Sequence, residues 1–152
     1  MIEVRLKELK IDLPAPTPPA ANYVPFLKTG SILLVSGQLP LLKEEVRYKG
    51  KVGQEFSLEE GQEAARLCCL QIIAQVKEAC EGDLNRVRRC LRLGGFINSA
   101  ENFTDHHKVM NGASDLMIAI FGEKGQHVRV AMGAAALPLN AAVEIEALFE
   151  VA

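Results

Sequence analysis

No stretch of this chain approaches the roughly 18 consecutive apolar residues that a membrane-spanning helix needs. The segment AAALPLNAAV is too short, and Pro138 and Asn140 interrupt it. The opening MIEVRLKELKIDLP is amphipathic and charged, without the apolar centre of a secretory leader. A cytoplasmic protein is therefore expected, with no membrane partner. Positive charge is not in surplus: 17 Lys and Arg face 19 Asp and Glu, a net charge of -2. With an isoelectric point near 5.9, a nucleic-acid partner is not expected, because phosphate binders usually carry a basic face. The four cysteines, Cys68, Cys69, Cys80 and Cys90, form no CxxC pair and have no histidine at zinc-finger spacing. They are expected to be reduced, buried, small apolar residues. There is no internal repeat, and Gly94-Gly95 lies in a strand-like run, so it is no phosphate loop. It reads instead as a bulge or a close backbone contact.

What is present suits one domain over residues 1–152. Residues 2–9 read as a short helix with Val4, Leu6 and Leu9 apolar. The four prolines of DLPAPTPPAAN then enforce an extended arm laid over the body. YVPFL and SILLVSG flank Lys28-Thr29-Gly30 as a hairpin, and 44–54 reads as a loop with a short strand. Ser57-Leu58-Glu59-Glu60 is a capping box. It opens a helix reaching about Cys80, whose buried stripe includes Cys68, Ile72, Ile73 and Val76. Residues 87–98 read as a strand with Leu91 and Leu93 on one face and Arg92 on the other. A second helix covers about 104–121, closed by Gly122. Strands at about 127–135 and 141–151 complete the chain. The fold class expected is α+β, with two helices on one face of a sheet of four or more strands.

Side chains alternate across a strand. In the strand at 127–135, Val128, Val130 and Met132 share one face, and Arg129, Ala131, Gly133 and Ala135 the other. In the last strand Val143, Ile145, Ala147, Phe149 and Val151 oppose Ala142, Glu144, Glu146, Leu148 and Glu150. The bulky apolar sets are expected to meet the helices. Arg129 and Glu144 are then expected together on a small-residue face that meets another subunit. The same pattern also fits a structural ion pair on a wetted sheet face.

Two motifs carry a family resemblance. SGQLP at 36–40, preceded by Tyr23, resembles the SGQ-I-P signature of the Rid (YjgF) family of reactive-intermediate deaminases, formerly labelled endoribonuclease L-PSP. The ending RVAMGAAALPLNAAVEIEA resembles that family's closing motif, with the Arg-to-Pro and Arg-to-Glu spacings kept. The helix and arm at 1–22 suggest a distinct branch. The resemblance implies a chorismate-mutase-like fold with a mainly antiparallel sheet, and a homotrimer with clefts between subunits. It also implies hydrolysis of enamines and imines, such as 2-aminoacrylate, to 2-keto acids and ammonia. By position, Arg129 would hold the substrate carboxylate and Glu144 would position or activate water. Tyr23 and Asn111 would line the pocket, and Ser36 and Gly37 would shape its wall. Ala131 stands where the family commonly has cysteine.

The chemistry asks for little more. An imine carbon is already electrophilic, so neither metal nor organic cofactor is expected. Arginine's planar fork suits a carboxylate, and a partly buried glutamate suits a water proton. Burial raises such a glutamate's pKa and a neighbouring arginine lowers it. The other candidates offer less. His106 and His107 point about a hundred degrees apart on a helix, too divergent to share a metal easily; they read as solvated or capping residues, and His127 as a rim residue. Ser36 has no histidine nearby in sequence. The alternatives to a deaminase are a non-catalytic module that binds small carboxylates or regulates a partner, and an endoribonuclease.

Overall fold

The strand-like and helix-like segments form in the order the pattern predicts. In the computed structural model, which describes residues 1–152, helix α1 (Ile2–Glu8) comes first and the proline arm follows it. Strands β1 (Phe26–Thr29), β2 (Ile32–Gln38), β3 (Leu41–Leu42) and β4 (Glu45–Val46) precede helix α2 (Leu58–Ala79). Strand β5 (Val87–Asn98), helices α3 (His106–Val109) and α4 (Asn111–Phe121), and strands β6 (Val128–Ala134) and β7 (Val143–Val151) complete the chain.

The capping box at α2 is closed in both directions. Glu60 N–H donates to Ser57 Oγ and Ser57 N–H to Glu60 Oε1, each at 3.1 Å. The helix expected over 104–121 is interrupted at Met110, giving the short α3 and the longer α4. Gly122 then turns the chain with φ of 63°, a conformation that favours glycine.

The main sheet has the order β1-β2-β7-β5-β6. Its pairs are antiparallel except β5 with β6, which run parallel, leaving β6 as an edge. Helices α2 and α4 pack on each other over one face of this sheet. Between them and the sheet lies a core that includes Ile72, Ile73, Leu93, Met117, Ile145 and Phe149. The four cysteines are free and buried. Burial pushes the thiols of Cys68 and Cys69 up and that of Cys90 up to about 12. None is thereby a ready nucleophile.

Two face assignments differ from the pattern. In β5 the register slips between Cys90 and Arg92, so Leu91 falls in a bulge and Cys90 joins Leu93 in the core. In β6 the whole alternation is inverted. Arg129 lies beside Leu93, which lies beside Ala147, and both of these are core residues. Arg129 and Ala131 therefore face the helices, while Val128 and Met132 stand 70% and 49% exposed on the open face. The cause is the closeness of α3. Its first turn lies on the strand: a Cβ at Gly133 would stand 2.8 Å from His106 Nε2. Small residues, or an arginine long enough to reach past, fit beneath that imidazole.

The Gly94-Gly95 pair marks two close approaches. A side chain on Gly94 would strike Glu146 on the open face, and one on Gly95 would strike Met110 on the helix face.

Candidate active site

The expected site residues gather in two places. Tyr23, Ser36, Gly37 and Glu144 line one cleft of about 490 Å³ on the open side of the sheet. Arg129, Asn111 and Ala131 lie on the other side, between β6 and the helices. Arg129 and Glu144 therefore do not meet within one chain. Glu144 is in register with Phe96 and Met132, and Arg129 with Leu93 and Ala147, on opposite faces.

A β-bulge builds the cleft. Between Val35 and Gln38 the register of β2 on β7 slips, so Ser36 and Gly37 crowd opposite one residue of β7. Gly37 then lies directly under the Glu144 side chain. A Cβ there would come 2.5 Å from Oε2 and 2.9 Å from the carboxyl carbon. Gln38 is buried and turns its amide back, Nε2 donating to Ser36 O at 3.2 Å. Burial raises the Glu144 pKa above its usual value, and the nearby Glu146 raises it further. No cation and no hydrogen-bond donor offsets that rise. Burial thus wins over arginine within the chain, because the arginine is on the other face.

The arm forms one wall of this cleft, through Thr17, Pro18, Pro19, Ala20 and Ala21. Two glutamines of α2 hold it. Thr17 Oγ1 donates to Gln71 Oε1 at 3.0 Å, and Gln75 Nε2 donates to Thr17 O at 2.8 Å. Gln71 and Gln75 are among the few buried polar side chains. Their i, i+4 spacing beside an apolar stripe is the sequence signal that could have revealed them. The lining also includes Leu139, at φ of 57°. Asn98, also buried, steadies this loop by donating from Nδ2 to Gly50 O at 3.1 Å and Asn140 Oδ1 at 3.3 Å.

The second cluster is a relay of neutral oxygens. Arg129 Nη1 donates to Asn111 Oδ1 at 3.0 Å and Ser114 Oγ at 2.9 Å, and Nη2 donates to His107 O at 2.6 Å. Ser114 Oγ is 2.9 Å from His127 Nε2, and His127 Nδ1 is 2.6 Å from Gly125 O. Nδ1 carries the hydrogen that bonds the carbonyl, and in the neutral ring this leaves Nε2 to accept from the serine hydroxyl. The residue read as a rim histidine is thus the end of the relay that orients Arg129. His106 is likewise not simply solvated: its Nε2 lies 2.9 Å from Ser99 Oγ. None of the chain's ion pairs includes Arg129 or Glu144. Each charge is held in place and left without a counter-ion. No three His, Cys, Asp or Glu side chains converge to hold a metal, and no helix is long and apolar enough to cross a membrane.

A sheet of this order with helices on one face, and a carboxylate cleft on the other, defines a chorismate-mutase-like α+β protein. Residues 3–151 match the family described as "YjgF/chorismate_mutase-like, putative endoribonuclease". The chain belongs to that family, the one whose motifs SGQLP and the closing Arg-to-Glu segment resemble. Protein TCP17 of Trypanosoma cruzi is 46% identical over 150 residues, covering 98% of this chain and 93% of TCP17. A protein of unknown function from Agrobacterium tumefaciens has a solved structure that is 47% identical with a TM-score of 0.93, covering 99% of this chain and 92% of that one. A "putative endoribonuclease" of Shewanella oneidensis is 37% identical with a TM-score of 0.96, covering 99% of both chains.

Proposed function

We propose that the protein hydrolyses reactive enamines and imines of the 2-aminoacrylate type to 2-keto acids and ammonia, in clefts between the subunits of a homotrimer. The observation that carries this reading is the pair of uncompensated charges, Arg129 and Glu144, fixed on opposite faces of the sheet. Only a second copy can bring one to the other. The open face favours such a contact, since Val128 and Met132 project from it in a row too apolar for a wetted surface.

In the assembled cleft the Arg129 guanidinium takes the substrate carboxylate through two charge-assisted hydrogen bonds. Protonation of the enamine's terminal carbon gives the iminium form of the imine. Water adds to the iminium carbon, Glu144 takes the proton that the water loses, and it returns that proton to the departing nitrogen. A raised pKa makes Glu144 a stronger base than an exposed carboxylate. The carbinolamine then loses ammonia and leaves the keto acid. Ala131 supplies no side-chain chemistry, so the residue at this position acts through its backbone and through the room it leaves.

The test generates 2-aminoacrylate with a pyridoxal-phosphate dehydratase and follows pyruvate release. The protein should accelerate release, and Arg129→Ala should lower kcat/KM about 100-fold or more, as loss of a bidentate carboxylate contact implies. No acceleration, or an Arg129→Ala variant as fast as the parent, rejects the reading. Saturable binding of pyruvate without turnover would instead identify a carboxylate-binding module.

A further inference from the structure

The cleft beside Glu144 offers far more room than a three-carbon acid fills: about 490 Å³, in the range of sites that enclose larger ligands. Its lining includes apolar groups, Pro19 and Ala20 from the arm together with Leu39, Leu41, Val46 and Leu139. Tyr23, Ser36, Gln38, Glu44 and Glu144 bring polar groups to the same cleft. Part of this apolar lining is not in the sheet at all. It is the arm, which two buried glutamines hold at a single residue, Thr17. Burying an amide costs free energy unless it is bonded, and here both amides are used to fix this one segment.

We infer that the cleft selects substrates with a branched aliphatic side chain, and that the arm at residues 17–21, fixed through Thr17 to Gln71 and Gln75, is the element that reads it. The inference rests on the proposed substrate class of 2-imino and 2-keto acids and specifies its side chain. The carboxylate meets arginine, the reacting carbon faces Glu144, and the alkyl group lies against the arm. Each methylene buried there contributes about 0.8 kcal/mol, or roughly fourfold in affinity. A four-carbon branched group should therefore bind at least about tenfold more tightly than a methyl, even with partial burial.

Calorimetry on the full chain with two keto acids, pyruvate and 4-methyl-2-oxopentanoate, tests this without requiring turnover. The expected ratio of dissociation constants is tenfold or more in favour of the branched acid. In Gln75→Met, which removes the donor to Thr17 O, the ratio should fall below threefold. Leu139→Asn provides a second variant whose folding is not at issue, because Leu139 is exposed at positive φ and asparagine tolerates that conformation. It too should flatten the ratio. A ratio near one in the parent, no binding of either acid, or a ratio retained in both variants overturns the inference. Acceleration of pyruvate release from 2-aminoacrylate alongside a flat ratio sinks the side-chain selectivity and leaves deamination standing. A tenfold ratio without any turnover does the reverse.

Discussion

Glu144 sits where a carboxylate is least comfortable. It is half-buried, beside another glutamate and over a bare backbone, and nothing in its own chain neutralises it. Its pKa is raised, so the folded protein binds the proton more tightly than the unfolded chain does. By linkage, stability falls as pH rises from the usual carboxylate value of 4.5 through the raised folded value. The deficit persists at neutral pH and vanishes below the usual value, where both states are protonated. In an Arg129→Ala background, where no neighbouring arginine reaches the cleft, Glu144→Gln should therefore raise stability at pH 7, by a Tm rise on the order of 1–3 °C for a chain of this size. Calorimetric scans with and without the change should converge below pH 4. A Tm that falls at pH 7, or a gain unchanged in acid, would show that the carboxylate is not strained. The family motif named Glu144 in the sequence. Its lack of a partner could not be read there, because that depends on which face Arg129 takes.

Helix packing makes the element-scale case. Gly112 lies near the start of α4, where that helix crosses α2, and a Cβ at this position would collide with the Gln62 backbone carbonyl. Backbone cannot swing aside as a side-chain tip can. Gly112→Ala should thus destabilise by about 2–3 kcal/mol despite alanine's better helix propensity, read as a lower urea midpoint with unchanged slope. A neutral or stabilising result would mean that the two helices part freely. The crossing also explains what was legible in the sequence. α2 was readable from Ser57 and its apolar stripe, and β5 from its apolar run, because those signals are local. The β6 face was not. Val128 and Met132 look like core residues and Ala131 and Gly133 like surface ones, until α3 and its His106 side chain are placed on the strand. The side of a strand that a neighbouring element approaches most closely must carry the small residues, and only tertiary structure says which side that is. The same holds for the relay from Arg129 through Ser114 to His127, whose members come from separate elements.

At the scale of the whole molecule, the sheet itself divides the proposed site. Arg129 is held on the helix face at the β6 edge, and Glu144 lies two strands away on the open face. Rotation of side chains cannot join them through the sheet. A cleft that uses both must take the arginine from one copy and the glutamate from the next, as a cyclic assembly with head-to-tail contacts permits. Light scattering should give a mass three times that of the 16.6 kDa chain. A sharper test comes from mixing inactive chains. Arg129→Ala and Glu144→Gln are each expected to be inactive alone. In a mixed trimer, one cleft pairs the intact arginine of one variant with the intact glutamate of the other, while the remaining clefts lack at least one of them. Equal co-expression with random assembly therefore restores about one quarter of parental activity per chain, since only one cleft in each mixed trimer is whole. If both residues acted from the same chain, every cleft in every mixture would carry a defect, and activity would stay at the level of the separate variants. Restoration of activity on mixing would thus place the chemistry between subunits, and its absence in a verified mixed trimer would remove the boundary site.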